Sequence, residues 1–205
     1  MSVICLQILY AVYPTFAIEF NLKMKDMKNL KMVRLLCMLF FCSSVGVEAQ
    51  TNNPKKILVA YFSHTGNTRA VAQHIQKVTG ADIFEIVPEV AYTNTDKAQK
   101  EIEEGFRPPL KDKVKEFNKY DVIFIGSPCW WATIAPPVAT FLTSYDFSGK
   151  TLVPFMTHEG SRMGHSEADI RKLCPKAELL QGLPVRGGSA ASAEQTVQEW
   201  IQKLK

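Results

Sequence analysis

The sequence predicts a doubly wound α/β domain: a three-layer α/β/α sandwich on a five-stranded parallel sheet of order 2-1-3-4-5. Three observations carry this. Ile57 to Phe62 and Val122 to Ile125 are continuous apolar runs without alternation, as strands buried on both faces require. Each strand-like run is followed by a helix-like stretch, and parallel neighbours need such crossovers. The first run ends abruptly in Ser63, His64, Thr65, Gly66, Asn67 and Thr68, a small-residue loop leading into a helix.

The first quarter of the 205-residue chain is expected to lie outside this fold. Residues 27–49 read as a secretory signal peptide: Lys28, Lys31 and Arg34 form a basic start, Leu35 to Cys42 an apolar centre, and Val47-Glu48-Ala49 a cleavage site. Residues 1–26 are an upstream extension with no evident role, and translation is expected to begin at Met24, Met27 or Met32. A membrane helix over residues 3–20 is the competing reading. Cleavage after Ala49 leaves residues 50–205 as one exported domain, periplasmic or secreted, without a membrane span. Lipid anchoring is a minor alternative, because Phe41 and Leu36, not small residues, precede Cys42 and Cys37.

The first 49 residues hold five of the 24 Lys and Arg and three of the 20 Asp and Glu, so residues 50–205 carry 19 against 17. That balance makes no case for nucleic acid. Only Cys129 and Cys174 remain in the domain. They fall at opposite ends of the predicted layers, so a disulfide is not expected.

After the first strand, Thr68 is the expected N-cap of a helix burying Val71, Ile75 and Val78, and Gly80 its stop. Residues 82–88 form an edge strand. Asp96 to Glu104 is helical, and a short helix covers Lys111 to Asn118. The third strand spans residues 121–128, and its helix starts at Pro136 and Pro137. The fourth strand, 151–158, contains Pro154, for which a bulge is expected. Ser166 with Asp169, and Ser192 with Gln195, read as capping boxes of the last two helices. A fifth strand near Leu179 to Val185 contains Pro184 and forms the other edge.

Doubly wound sheets bind ligands beyond the strand C-termini at the point where strand order reverses. The placement between strands 1 and 3 is adopted from the known 2-1-3-4-5 class. It brings together the loop at 63–68, the loop Ser127-Pro128-Cys129-Trp130-Trp131-Ala132-Thr133, and the loop beginning Thr157-His158-Glu159-Gly160. A small-residue loop at a helix N-terminus aims amides and a dipole at an anion. The loop has no lysine of the GK[ST] type, so a monophosphate fits better than a triphosphate. The plainer reading is an ordinary strand-to-helix turn. Trp130 and Trp131 can stack on a planar ring, or plug the core and face a protein partner.

Three stretches, YFSHTGNT at 61–68, IGSPCWWAT at 125–133 and THEGSRMGHS at 157–166, resemble the flavodoxin family, in a likeness that spans nearly all of residues 55–204. The resemblance implies FMN as cofactor. Ser63, His64, Thr65, Gly66, Asn67 and Thr68 would lie at its phosphate. Pro128, Cys129, Trp130, Trp131 and Ala132 would flank its ring, with Thr157, His158, Glu159 and Gly160 at the ring's polar edge. Electron-carrying members tend to be acidic, whereas this domain is near neutral, and similar sequences often have glycine where Ala132 stands.

His158 could donate to a flavin oxygen, supply a proton, or fix its own loop. Cys129 reads as inert, with no basic neighbour in sequence. The leading function is an FMN redox protein serving a partner protein or a small acceptor such as a quinone. The alternative is an exported FMN- or phosphate-ligand-binding module without redox turnover. Phosphatase, receiver and GxSxG hydrolase readings lack their nucleophiles or acids at Ser63 and Ser127, and no histidine spacing suggests a metal.

Overall fold

The computed structural model describes residues 55–204; the expected extension at 1–26 and the expected signal peptide at 27–49 lie outside the described residues. The chain runs β1 (Ile57–Tyr61), α1 (Asn67–Thr79), β2 (Asp82–Glu85), α2 (Asp96–Glu103), β3 (Val122–Trp130), β4 (Thr133–Ile134), α3 (Pro136–Thr143), β5 (Thr151–His158), α4 (Ser166–Leu173), β6 (Glu178–Leu179), β7 (Leu183–Arg186) and α5 (Glu194–Lys203). The sheet order is β2-β1-β3-β5-β6, with β7 also on β5 and β4 folded back on β3. All pairs are parallel except β3 with β4. The predicted order therefore holds, with a small hairpin added and the fifth strand split in two.

Strand period 2 sorts the apolar runs onto two faces. Leu58, Ile123, Ile125, Leu152 and Met156 pack with Phe141, Leu142 and Ile170 of α3 and α4. Val59, Tyr61, Phe124, Val153 and Phe155 pack with Val71, Ile75, Val197 and Trp200 of α1 and α5. These are the two outer interfaces of the three layers. Gly126 on β3 pairs with Phe155 on β5, and a Cβ at Gly126 would lie 2.2 Å from the Phe155 ring. The bare backbone there admits the ring.

Pro154 makes no bulge: β5 pairs in register with β3 from Thr151 to Thr157, Pro154 opposite Ile125. The reason lies on the other side of the strand. Leu152 turns its carbonyl to Leu180, so Pro154, two residues on, faces the same way. There the ladder passes from β6, which ends opposite Leu152, to β7, which begins opposite Phe155. The missing N–H falls in the gap.

Other local expectations are corrected. The α1 N-cap is Gly66, with φ 93°, and Thr68 sits inside the first turn. The inward stripe of α1 is Val71, Ala72 and Ile75, while Val78 is 36% exposed. Strand β2 ends at Glu85, not 88, and Lys111–Asn118 shortens to a 3₁₀ turn at Phe117–Lys119. Phe117 there stacks on Tyr145, and Val114 N–H donates to the Tyr145 hydroxyl. Neither capping box forms. His165 caps α4 because its N–H is held by the Ala132 carbonyl, and Ser166 falls inside the helix. Ala193 caps α5, since Ser192 belongs to the 3₁₀ turn Gly187–Ser192 and its hydroxyl donates to the Ser189 carbonyl. No described helix is long and apolar enough to cross a membrane.

Candidate functional site

Four loops converge beyond the C-terminal ends of β1, β3, β5 and β7. In the first, Ser63 Oγ accepts from the N–H groups of Gly66 (3.1 Å) and Arg69 (3.2 Å), curling the chain around its own hydroxyl. Gly66 completes the curl in a left-handed conformation that favours glycine. The Asn67 and Thr68 amides fall in the first turn of α1, where no intrahelical carbonyl is within reach. His64 and Thr65 are exposed at the tip. The Arg69 guanidinium is drawn away to Glu85, which leaves neutral donors and the helix dipole at this end of α1.

Thr68 Oγ1 lies 2.8 Å from Thr157 Oγ1, both side chains buried, so the first turn of α1 is bonded to the end of β5. Pro128 pairs across to Thr157, which places the second loop beside the third.

The two tryptophans separate. Trp130, 9% exposed, sits edge-on to Phe62, His64 and Tyr92. His64 in turn donates through Nε2 to the Tyr92 carbonyl (3.1 Å). Beneath, the Tyr92 hydroxyl donates to buried Glu101, which also pairs with Lys97 at 3.3 Å. Burial first, then the Glu101 carboxylate, pushes the Tyr92 phenol above the ordinary tyrosine range. Trp131 is 51% exposed.

Trp131 and Ala132, at φ 50° and 64°, form the two-residue turn joining β3 to β4. Such hairpins usually use Asn and Gly there, and left-handed backbone costs a side chain roughly 1–2 kcal/mol. Tertiary contacts fix the turn. Trp131 Nε1 donates to the Thr95 carbonyl (3.2 Å), His165 N–H donates to the Ala132 carbonyl (2.6 Å), and Thr133 donates to Asp169 on α4 (2.6 Å). Gly164 is required at this contact, because a Cβ there would lie 2.1 Å from the Ala132 carbonyl oxygen.

At the third loop His158 is half-buried, with Nδ1 enclosed and without a hydrogen-bond partner. Its strand neighbour on β7 is Arg186. Burial, with Arg162 and Arg186 outweighing Glu159, holds its imidazole below the usual histidine range, so it is neutral near pH 7. Gly160 is exposed.

The fourth loop went unanticipated. A Cβ on Gly187 would lie 2.2 Å from Glu159 Oε1 and 2.6 Å from Asn67 Nδ2, so both side chains end over this glycine. The Gly187-Gly188 pair directly after an apolar strand was the available signal.

Cys129 is half-buried and Cys174 buried, both free; burial pushes the Cys174 thiol up to about 11. Two surface depressions, of about 230 and 400 Å³, share no residue with these loops. Among the described residues no group of three potential ligands could hold a metal ion.

The flavodoxin family model matches residues 56–204, the whole of the sheet and its helices. The chain belongs to the flavodoxin family. A candidate flavoprotein of Bacteroides eggerthii is 32% identical with a TM-score of 0.66, over 73% of this chain and 97% of that one. One from Bacteroides uniformis is also 32% identical, at TM-score 0.65, over 72% and 98%. A flavoprotein of Lactobacillus acidophilus in complex with FMN shares the fold at 23% identity and TM-score 0.54, over 69% and 99%. No curated protein matches the sequence. In this flavodoxin-family chain, the first, second and third predicted loops are adjacent, joined through Thr68, Thr157 and Pro128.

Proposed function

We propose that this protein binds FMN across the four loops and uses it for electron transfer, either to a redox partner or to a small acceptor such as a quinone. The observation that carries this reading is the Thr68–Thr157 bond, which ties the loop at the α1 N-terminus to the strand end at His158, where Pro128 of the second loop also pairs. That adjacency supports a reading in which an anion cradle and an aromatic wall share one rim, as a phosphate-bearing planar ligand needs. The family match and the FMN complex of the Lactobacillus acidophilus flavoprotein support the choice of ligand.

The residues present fit the group. First-turn amides, with the hydroxyls of Ser63 and Thr65, would hold the phosphate, the buried Thr68 hydroxyl would fix that turn through Thr157, and Gly66 leaves open space where a side chain would intrude. The exposed face of Trp131 would cover the ring and exclude water. His158, kept neutral, would offer a hydrogen bond at the ring's polar edge. When bound, FMN supplies the redox chemistry itself. The basic start, apolar centre and small-residue cleavage pattern of residues 27–49 support action outside the cytoplasm.

The test is a visible absorption titration of the full chain with FMN, followed by stepwise reduction and addition of a quinone. The expected result is a shifted flavin spectrum and reoxidation by the acceptor. Absence of binding at micromolar FMN would sink the reading. Binding without any productive donor or acceptor would leave only a flavin-binding module.

A further inference from the structure

Glu159 of the third loop and Asn67 of the first converge over Gly187. The Oε1 of Glu159 and the Nδ2 of Asn67 approach the same point above Gly187, at 2.2 and 2.6 Å from a Cβ built there. Asn67 is the first residue of α1, the helix whose N-terminus would face the phosphate. Among the described residues Glu159 makes no ion pair; Arg162 and Arg186 are the cations on this side, and neither lies within salt-bridge distance of it.

We infer that Glu159 is a specificity-determining residue that lowers the preference for phosphorylated over unphosphorylated flavin, its carboxylate opposing the phosphate beside Asn67. The inference rests on the FMN reading above. A carboxylate so placed repels the phosphate of FMN and leaves riboflavin, which has none, unaffected. Any contact of Glu159 with the sugar-alcohol chain or the ring is common to both ligands and cancels in the ratio of their affinities. Glu159 thus narrows the gap between FMN and riboflavin while leaving the loop's amides intact.

The test measures dissociation constants of FMN and riboflavin for the full chain and for Glu159→Gln at low and high salt. Glu159 is exposed, so folding is not at stake. The expected result is a rise of about three- to tenfold in the FMN-to-riboflavin affinity ratio at low salt, shrinking at high salt, as a screened repulsion near a protein surface does. An unchanged or lower ratio, with both flavins still bound by the wild type, would overturn the inference and leave the FMN reading standing. Binding of neither flavin by the wild type would overturn both.

Discussion

The hydroxyls of Thr68 and Thr157, 89 positions apart in the chain, meet at 2.8 Å in the interior. One belongs to the first turn of α1 and the other to the last residues of β5, so this bond helps fix the distance between two loops of the candidate site. A buried hydroxyl stripped of its partner costs about 1–3 kcal/mol. Thr68→Val and Thr157→Val should each destabilise by that order. The double variant should lose clearly less than the two combined, because neither hydroxyl is then stranded. Urea unfolding of all four proteins measures the coupling, and strict additivity would mean the bond contributes nothing.

Gly126 and Phe155 lend themselves to a packing test. Phe155 is fully buried, so its ring has nowhere to retreat from a methyl group placed 2.2 Å away. Gly126→Ala should cost about 1–3 kcal/mol, the usual range for overpacking, and lower the melting temperature. Adding Phe155→Leu should recover part of the loss. A Gly126→Ala protein as stable as the wild type would contradict the described contact.

His158 makes stability depend on pH in a definite direction. Its folded-state pKa is lowered from the ordinary 6.5, so the unfolded chain binds the proton more readily. The stability held by the neutral ring is fully present above about pH 6.5 and is lost as pH falls toward and through the folded value. Denaturant unfolding between pH 8 and 5 should show wild type losing stability relative to His158→Asn. A difference that stays flat or widens on acidification would be the wrong sign.

The elements were legible where burial alone decides them. Val122 to Ile125 could only be a doubly covered strand, and Gly80 stops α1 in the left-handed conformation its position implied. The caps were not legible, because hydroxyls that look local have distant partners or none. Thr68 reaches Thr157, and Ser166 is buried at the start of α4 without a partner. The same limit applied to the tryptophans. Adjacent and identical in sequence, Trp130 and Trp131 are parted by a turn that carries no Asn or Gly and that relies on Thr95, Gly164 and His165. The Glu159–Gly187–Asn67 convergence likewise joins three segments far apart in the chain.

The divided fifth strand bears on how the molecule coexists with copies of itself. One border of the sheet is β2, four residues with Asp82 and Glu85 at its ends; the other is broken into pieces of two and four residues. A neighbouring chain seeking to lengthen the sheet would find too few consecutive amides on either side to dock against. Pro184 withholds one more. The interruption that accommodates Pro154 therefore also leaves, among the described residues, a border poorly suited to edge-to-edge pairing between copies.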